Sequence, residues 1–341
     1  FVFLYLLENY QKVFYLDPDI EIYNKLLYAT ELLNAYPCVL TPHKLKFNEH
    51  ADSNEMNIRG SGHFNLGFAG FNSSDTSKEI LKYWGKDLEI NCYNDTIHSR
   101  FTDQKEISNL YFYFAKYMYS IEDPGYNLAP WNFDERELVL ENNGYYTRFK
   151  NATKLYPLTF LHFSGFNMKV EESFFTTKHQ KIEIKKNSCL YNLLTQYKQK
   201  MIKTRFNEYN KIPYAFNYFD NGNYISRFER RVYEFLIENK FLLADDNPFL
   251  TNGPFYRFLK KSHLLTNNNL IKTDMTTPNA LKKGDFNKKE KVLKSLMTGC
   301  KKIMGISHYV LLMKYMGYAS RYEYQMFLVE NKAKLFFKKE D

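Results

Sequence analysis

No apolar run in this chain approaches the ~20 residues that a bilayer-spanning helix needs, so no segment reads as a membrane span. Cysteine is scarce. Cys38, Cys92, Cys189 and Cys300 lie far apart and form no Cys-x-x-Cys pair. That spacing excludes a dense disulfide framework and reads as free thiols in a reducing compartment. No internal repeat is visible. Acidic residues fall short of basic ones, 38 against 47, and the net charge is +9. Much of the basic surplus is C-terminal, at Lys282, Lys283, Lys288, Lys289, Lys291, Lys294, Lys301 and Lys302. Such a cluster attracts nucleic acid, anionic lipid headgroups or an acidic glycan, unless it is only the solvated face of a helix. What remains is ordinary for a globular protein: 44% hydrophobic and 25% charged residues. A chain of 341 residues is long enough for about two domains.

The most informative stretch is Val13-Phe14-Tyr15-Leu16-Asp17-Pro18-Asp19-Ile20. Four apolar residues predict a buried strand of a covered sheet. Side chains alternate along a strand, so Asp17 and Asp19 point the same way from its end. Pro18 donates no hydrogen bond and helps to end the strand. Two carboxylates at the carboxyl end of such a strand suit Mg²⁺ or Mn²⁺ bridging phosphate oxygens. The plainer alternative is that Asp and Pro begin a loop.

Further along, Glu21–Tyr36 has apolar residues at helical spacing, and Cys38-Val39-Leu40 reads as a strand. Residues 44–62 read as a mobile loop beside the site. His63–Asn72 is strand-like but contains Gly67 and Gly70, a sign that a ligand or another backbone approaches closely. Thr76 and Glu79 fit a capping box for a helix through Trp84, and Asp103-Gln104 opens another helix. Leu158–Gly165 reads as a buried strand ending in polar groups. From about Ser188 helical periodicity takes over, over Leu190–Phe206, Ile225–Leu243 and Val292–Leu328. A domain boundary is expected near residue 185, separating 1–185 from a mainly helical region 186–341.

The order of these motifs is more specific than any one of them. Tyr15-Leu16-Asp17-Pro18-Asp19 is followed by Asn65-Leu66-Gly67-Phe68, then Asp103-Gln104, then His162-Phe163-Ser164-Gly165. This order resembles the metal-dependent GT-A glycosyltransferases, in particular the retaining glycogenin- and galactosyltransferase-like group and related bacterial polysaccharide enzymes. The resemblance covers roughly residues 1–170.

It implies an α/β fold with a GT-A-like mixed sheet flanked by helices, followed by the helical C-terminal region. It also implies that the nucleotide-binding half ahead of the Asp-x-Asp is missing from this sequence. Asp17, Asp19 and His162 become the ligands of Mn²⁺ or Mg²⁺, with Mn²⁺ favoured by the imidazole. Asn65, Gly67, Gly165 and Lys169 become contacts of the donor sugar and diphosphate. The family often has a lysine at the position of Met168, so either Lys169 substitutes or that contact is absent. Asp103 and Gln104 match a pair that faces the transferred sugar, although Asp103 is also a good helix cap. His162 could instead be a core histidine with both nitrogens satisfied. His43, Asn127, Trp131 and Asn132 match no family motif and are candidates for acceptor binding, with Trp131 either a sugar platform or core.

The expected function is transfer of a hexose from a nucleotide-diphosphate sugar to a hydroxyl of a glycan or lipid-linked oligosaccharide, with retention of configuration. The expected setting is the cytoplasm, with peripheral contact to a membrane and no nucleic-acid partner. Two alternatives from other classes are a metal-dependent nuclease or phosphoesterase and an inactive glycan-binding or scaffold protein.

Overall fold

The structure is a computed structural model that describes residues 1–47, 53–95, 99–168, 174–175, 183–242, 247–266 and 286–337. The chain is mixed α/β and divides into two compact units, Phe1–Asn207 and Glu208–Asp341.

The first unit begins with helix α1 (Val2–Leu6), strand β1 (Lys12–Leu16) and strand β2 (Ile20–Ile22). Helix α2 (Leu27–Ala35) and strand β3 (Cys38–Pro42) follow, then α3 (Ser53–Ser61), β4 (Phe64–Asn72) and α4 (Asp75–Asn91). After the short pair β5 (Asn94–Asp95) and β6 (Arg100–Phe101) come α5 (Gln104–Tyr113) and β7 (Met118–Ser120). The unit is completed by β8 (Arg136–Glu141), β9 (Gly144–Phe149), β10 (Tyr156–Pro157), β11 (Phe160–His162) and α6 (Cys189–Lys203).

Four strands form a mixed sheet in the order β1-β4-β3-β7, with β3 parallel to β7 and the other pairs antiparallel. β4 is central and buried along nearly its whole length. Its glycines let neighbours in: a Cβ on Gly70 would lie 2.6 Å from the Phe14 ring and 2.7 Å from Val39. Leu66, Phe71, Ile80 and Ile107 pack on one side of the sheet, where α4 and α5 lie. Leu33, Val39, Phe68 and Phe160 pack on the other, with α2. The β3–β4 register slips between Leu40 and Thr41, so residues 66–68 have no direct partner on β3. Bulges of this kind re-aim side chains, and this one falls between Asn65 and Ala69, with Gly67 inside it.

Several expectations are corrected. β1 is an edge strand and not a covered one, because it pairs with β4 alone; Tyr15 is 46% exposed. Residues 20–22 form β2 before the helix begins. The region read as a loop contains α3, whose Ile58 is buried. α4 is capped by Ser74, which accepts from the Ser77 N–H at 3.3 Å, and it runs past Trp84 to Asn91. The boundary lies at 207 and not near 185, because Leu193 and Leu194 of α6 pack with Leu128, Leu158 and Leu161.

The second unit is helical, with α7 (Phe206–Tyr209) at the junction, then α8 (Arg227–Glu238), α9 (Pro254–Lys261), α10 (Phe286–Ala319) and α11 (Phe327–Phe337). α8 carries a full capping box between Ser226 and Glu229. Val232, Leu236, Phe258, Leu259 and Val329 form its core. The long periodic stretch expected over Val292–Leu328 is broken at Gly305, whose φ of 77° and ψ of 166° leave helical space. Among the described residues, no helix is long and apolar enough to cross a membrane.

Candidate metal centre

Asp17 and Asp19 belong to a tight turn. Ile20 N donates to Asp17 O at 3.1 Å, with Pro18 at the second turn position, where its fixed φ fits. The turn therefore does more than end β1: it feeds the chain into β2. β2 pairs antiparallel with β11, placing His162 opposite Ile20. Two backbone bonds anchor the carboxylates on either side. Asp17 N donates to Gly67 O at 2.8 Å, and Phe163 N donates to Asp19 O at 2.8 Å.

This pairing closes the distance in sequence. His162 Nε2 lies 3.1 Å from Asp19 Oδ1 and 3.7 Å from Asp17 Oδ2. One ligand atom from each of the three lies within 4.8 Å of the others. Donors that share a divalent ion at about 2.0–2.3 Å stand roughly 3–3.5 Å apart at neighbouring positions. The donor set, two carboxylate oxygens and one imidazole nitrogen, fits Mn²⁺ better than an ion that takes only oxygen. The imidazole is buried, while the Asp17 and Asp19 side chains are 33% and 43% exposed. The site thus has a closed back and an open front from which further ligands can reach it.

The ring of His162 is fixed from behind. Its Nδ1 donates to Asn65 Oδ1 at 3.0 Å, which sets the plane of the ring and leaves Nε2 as the nitrogen facing the carboxylates. Asn65 donates to Gln104 Oε1 at 3.3 Å, as does Leu66 N at 3.2 Å; Gln104 Nε2 donates to Ser61 O at 3.0 Å. A Cβ on Gly67 would lie 2.4 Å from His162 Cε1 and 2.9 Å from Asn65 Oδ1. The Asn-x-Gly pattern is thus a cradle for the ring: the amide orients it and the missing side chain makes room.

Charge follows the geometry. Burial pushes the Asp19 carboxyl up, but the His162 hydrogen bond, the His162 charge and Asp19's own backbone outweigh it and leave the group below its ordinary range. Tyr15 donates to Asp17 Oδ1 at 2.7 Å. That bond, with partial burial and the charges of Asp17, Asp103 and Asp19, pushes the phenol up to about 12.

The other expected site residues fall into distinct places. Asp103 occupies the N-cap position of α5 but makes no side-chain cap; its Oδ1 accepts from Thr102 Oγ1 at 3.0 Å, and its charge reaches Tyr15. Gln104 is buried, and both ends of its amide are engaged by the Asn65–Leu66–Ser61 brace. Gly165 has φ of 68° and sits in a turn closed by Phe166 N to Phe163 O at 2.9 Å, a conformation that favours glycine. Lys169 lies outside the described residues.

His43, Asn127, Trp131 and Asn132 are all buried. Trp131 stacks edge-on against both His162 and His43, with centroids 5.1 and 5.2 Å away. Asn132 is a structural amide: it donates to His43 O and Asn127 O and accepts from Ala129 N. Asn127 has φ of 57°, and neither of its amide atoms has a hydrogen-bond partner among the described residues. Sequence reasoning missed Tyr15 as a partner of Asp17. The signal was there, since residues two apart in a strand share a side.

No family model matches this chain. It is 26% identical over 121 residues to an uncharacterized protein, YfnF, of Bacillus subtilis (strain 168), in a match covering 33% of this chain and 36% of that protein. The match thus spans about a third of either protein.

Proposed function

We propose that this chain carries the metal and donor-sugar site of a GT-A-like glycosyltransferase of the retaining, glycogenin- and galactosyltransferase-like kind. It would move a hexose from a nucleotide-diphosphate sugar to a hydroxyl of a glycan or lipid-linked oligosaccharide. The observation that carries this reading is the meeting of Asp17, Asp19 and His162 around one point, with Asn65 and Gly67 directly behind the imidazole. Those are the motifs whose order resembles the family, and they come from segments far apart in sequence.

In this reading Asp17, Asp19 and His162 hold Mn²⁺ or Mg²⁺. When bound, such an ion would supply neutralising charge for the diphosphate leaving group. The chain's own residues bind and orient. Asn65 and Gln104 keep His162 in the tautomer that offers Nε2. Asp103, whose charge reaches Tyr15, is our candidate for orienting the sugar hydroxyls. No protein nucleophile is assigned; the leaving phosphate itself accepts the proton of the acceptor hydroxyl. We place this chemistry in the cytoplasm.

A phosphoesterase would call for a second metal with further acidic ligands. Among the described residues, Asp17, Asp19 and His162 are the one such group. The test is incubation of the chain with a panel of nucleotide sugars, with and without Mn²⁺, following nucleotide release. Metal-dependent release that Asp19→Asn abolishes supports the reading. Absence of release, while simple phosphodiesters are cleaved, overturns it.

A further inference from the structure

The first half of α10, residues 290–304, turns its apolar side to solvent. Val292, Leu293, Leu296 and Ile303 are 61%, 48%, 61% and 88% exposed. At about 100° per residue these four fall within an arc roughly 100° wide. Lys291, Lys294, Lys301 and Lys302, all exposed, fall within an arc of about the same width centred on the opposite side. The second half, residues 306–319, is apolar around most of its circumference, and Val310, Leu311, Tyr315 and Met316 are exposed as well. From 290 to 319 there are five lysines and a single acid, Glu290, which is already paired with Lys294 at 2.7 Å.

A helix of a folded domain normally turns its apolar stripe toward a core. This one has a well-formed stripe and, among the described residues, no core beneath it. Its lysines lie opposite the stripe, from which long side chains reach up to headgroups while the aliphatic groups enter the acyl boundary. Fifteen residues give a rod of about 22 Å, and the lysines bar it from crossing.

We propose that residues 290–319 bind the surface of an anionic lipid bilayer, with the apolar arc inserted and the lysines paired to lipid phosphates. Charge complementarity selects this occupant. An uncharged apolar groove would be served by the stripe alone and leaves the unbalanced lysines without a role.

The experiment is flotation of the full chain with vesicles of phosphatidylcholine alone, and with about a third phosphatidylglycerol added. We expect partition onto the anionic vesicles, weakening as salt rises, and little onto the neutral ones. Lys301→Gln with Lys302→Gln should weaken partition about fivefold per lysine. Leu296→Asp with Ile303→Asp should abolish it. Both pairs are exposed, so circular dichroism and thermal unfolding should stay at the wild-type values. Equal partition onto both vesicle types, or none, overturns the proposal. So does light scattering that finds a self-associated chain which Leu296→Asp disperses, because a second copy would then cover the face. The readout is membrane partition alone, so it stands or falls separately from any sugar chemistry.

Discussion

Two parts of this chain carry its most informative side chains, and they hold them in opposite ways. At the β2–β11 pairing, the His162 ring is fixed by an amide, a tryptophan edge and the bare backbone of Gly67. On α10, the side chains along residues 290–319 are largely exposed, and a Cβ added at Gly299 would meet nothing within 4 Å. The first arrangement suits a group that must present one lone pair in one direction. The second suits contact with something that has no fixed shape. Substitutions should therefore be costly in the first region and nearly free in the second until a partner is present.

The largest expected effect tests that contrast with one change in two places. Gly67→Ala drives a methyl into the imidazole and the Asn65 carbonyl. Both neighbours are buried and braced, so they cannot step aside. We expect a loss of about 3 kcal/mol of stability, at the upper end for overpacking, together with loss of Mn²⁺ binding. Gly299→Ala fills open space on a helix and should stabilise by about 0.5–1 kcal/mol. Urea denaturation of both variants reads the difference. If Gly67→Ala costs no more than Gly299→Ala, the pocket around His162 is not rigid and the comparison fails.

A second effect of similar size comes from His43, at the back of the same cluster. Burial depresses its pKa from an ordinary 6.5 to about 4, outweighing the bond to His63 O; the His162 charge lowers it further. Below the ordinary pKa the unfolded chain takes up a proton that the folded chain refuses. The contribution is therefore fully present above about pH 6.5 and is lost as pH falls toward 4. The loss is on the order of 3 kcal/mol across that window. His43→Leu should flatten that part of the stability curve, measured as the difference from wild type so that titrating carboxylates cancel. Parallel curves would mean that water reaches the ring.

Asn65→Ala sharpens the comparison without touching a ligand. It removes the acceptor for His162 Nδ1–H and frees the ring to turn. Such supporting groups are worth about 10- to 100-fold in metal affinity, which calorimetric titration with Mn²⁺ would show. Unchanged affinity would mean that Asn65 is only packing.

How much of this was legible in the sequence depends on the range of each signal. The Asp-x-Asp turn, the Asn-x-Gly pattern and the polar end after Leu161 are local, and each could be read directly. The β2–β11 pairing joins segments far apart in the chain, and no local pattern states it; it was reached only through a resemblance. The edge position of β1 was hidden because four consecutive apolar residues look the same at an edge as in a centre. The β8–β9 hairpin left a readable trace in Asn142 and Asn143. Both have positive φ, and they are the two central residues of its turn. α3 was hidden for a different reason. Its sequence is a poor helix former, but its end is tied to Gln104 and its Ile58 is buried, so tertiary contacts override propensity. The cap at Ser74 in place of Thr76 is the usual small error at a helix start.

The smallest expected effect concerns the front of the site. Tyr15→Phe removes the hydroxyl that donates to Asp17 Oδ1 and leaves the ring in place. The tyrosine is nearly half exposed, so water competes for that bond, and its net worth is about 0.5 kcal/mol. Two consequences oppose each other. Without the bond, Asp17 samples more orientations and loses some preorganisation. Its Oδ1 also regains electron density that the phenol had drawn off, which favours a cation. We expect Mn²⁺ affinity to change by no more than about threefold, with stability within about 0.5 kcal/mol of wild type. The Asn65→Ala variant, acting on the buried ligand, should lose far more. If Tyr15→Phe instead costs tenfold or more, the exposed carboxylate is held as tightly as the buried imidazole. The site would then be rigid at its front as well as its back, and the division between a fixed histidine and adjustable carboxylates would have to be given up.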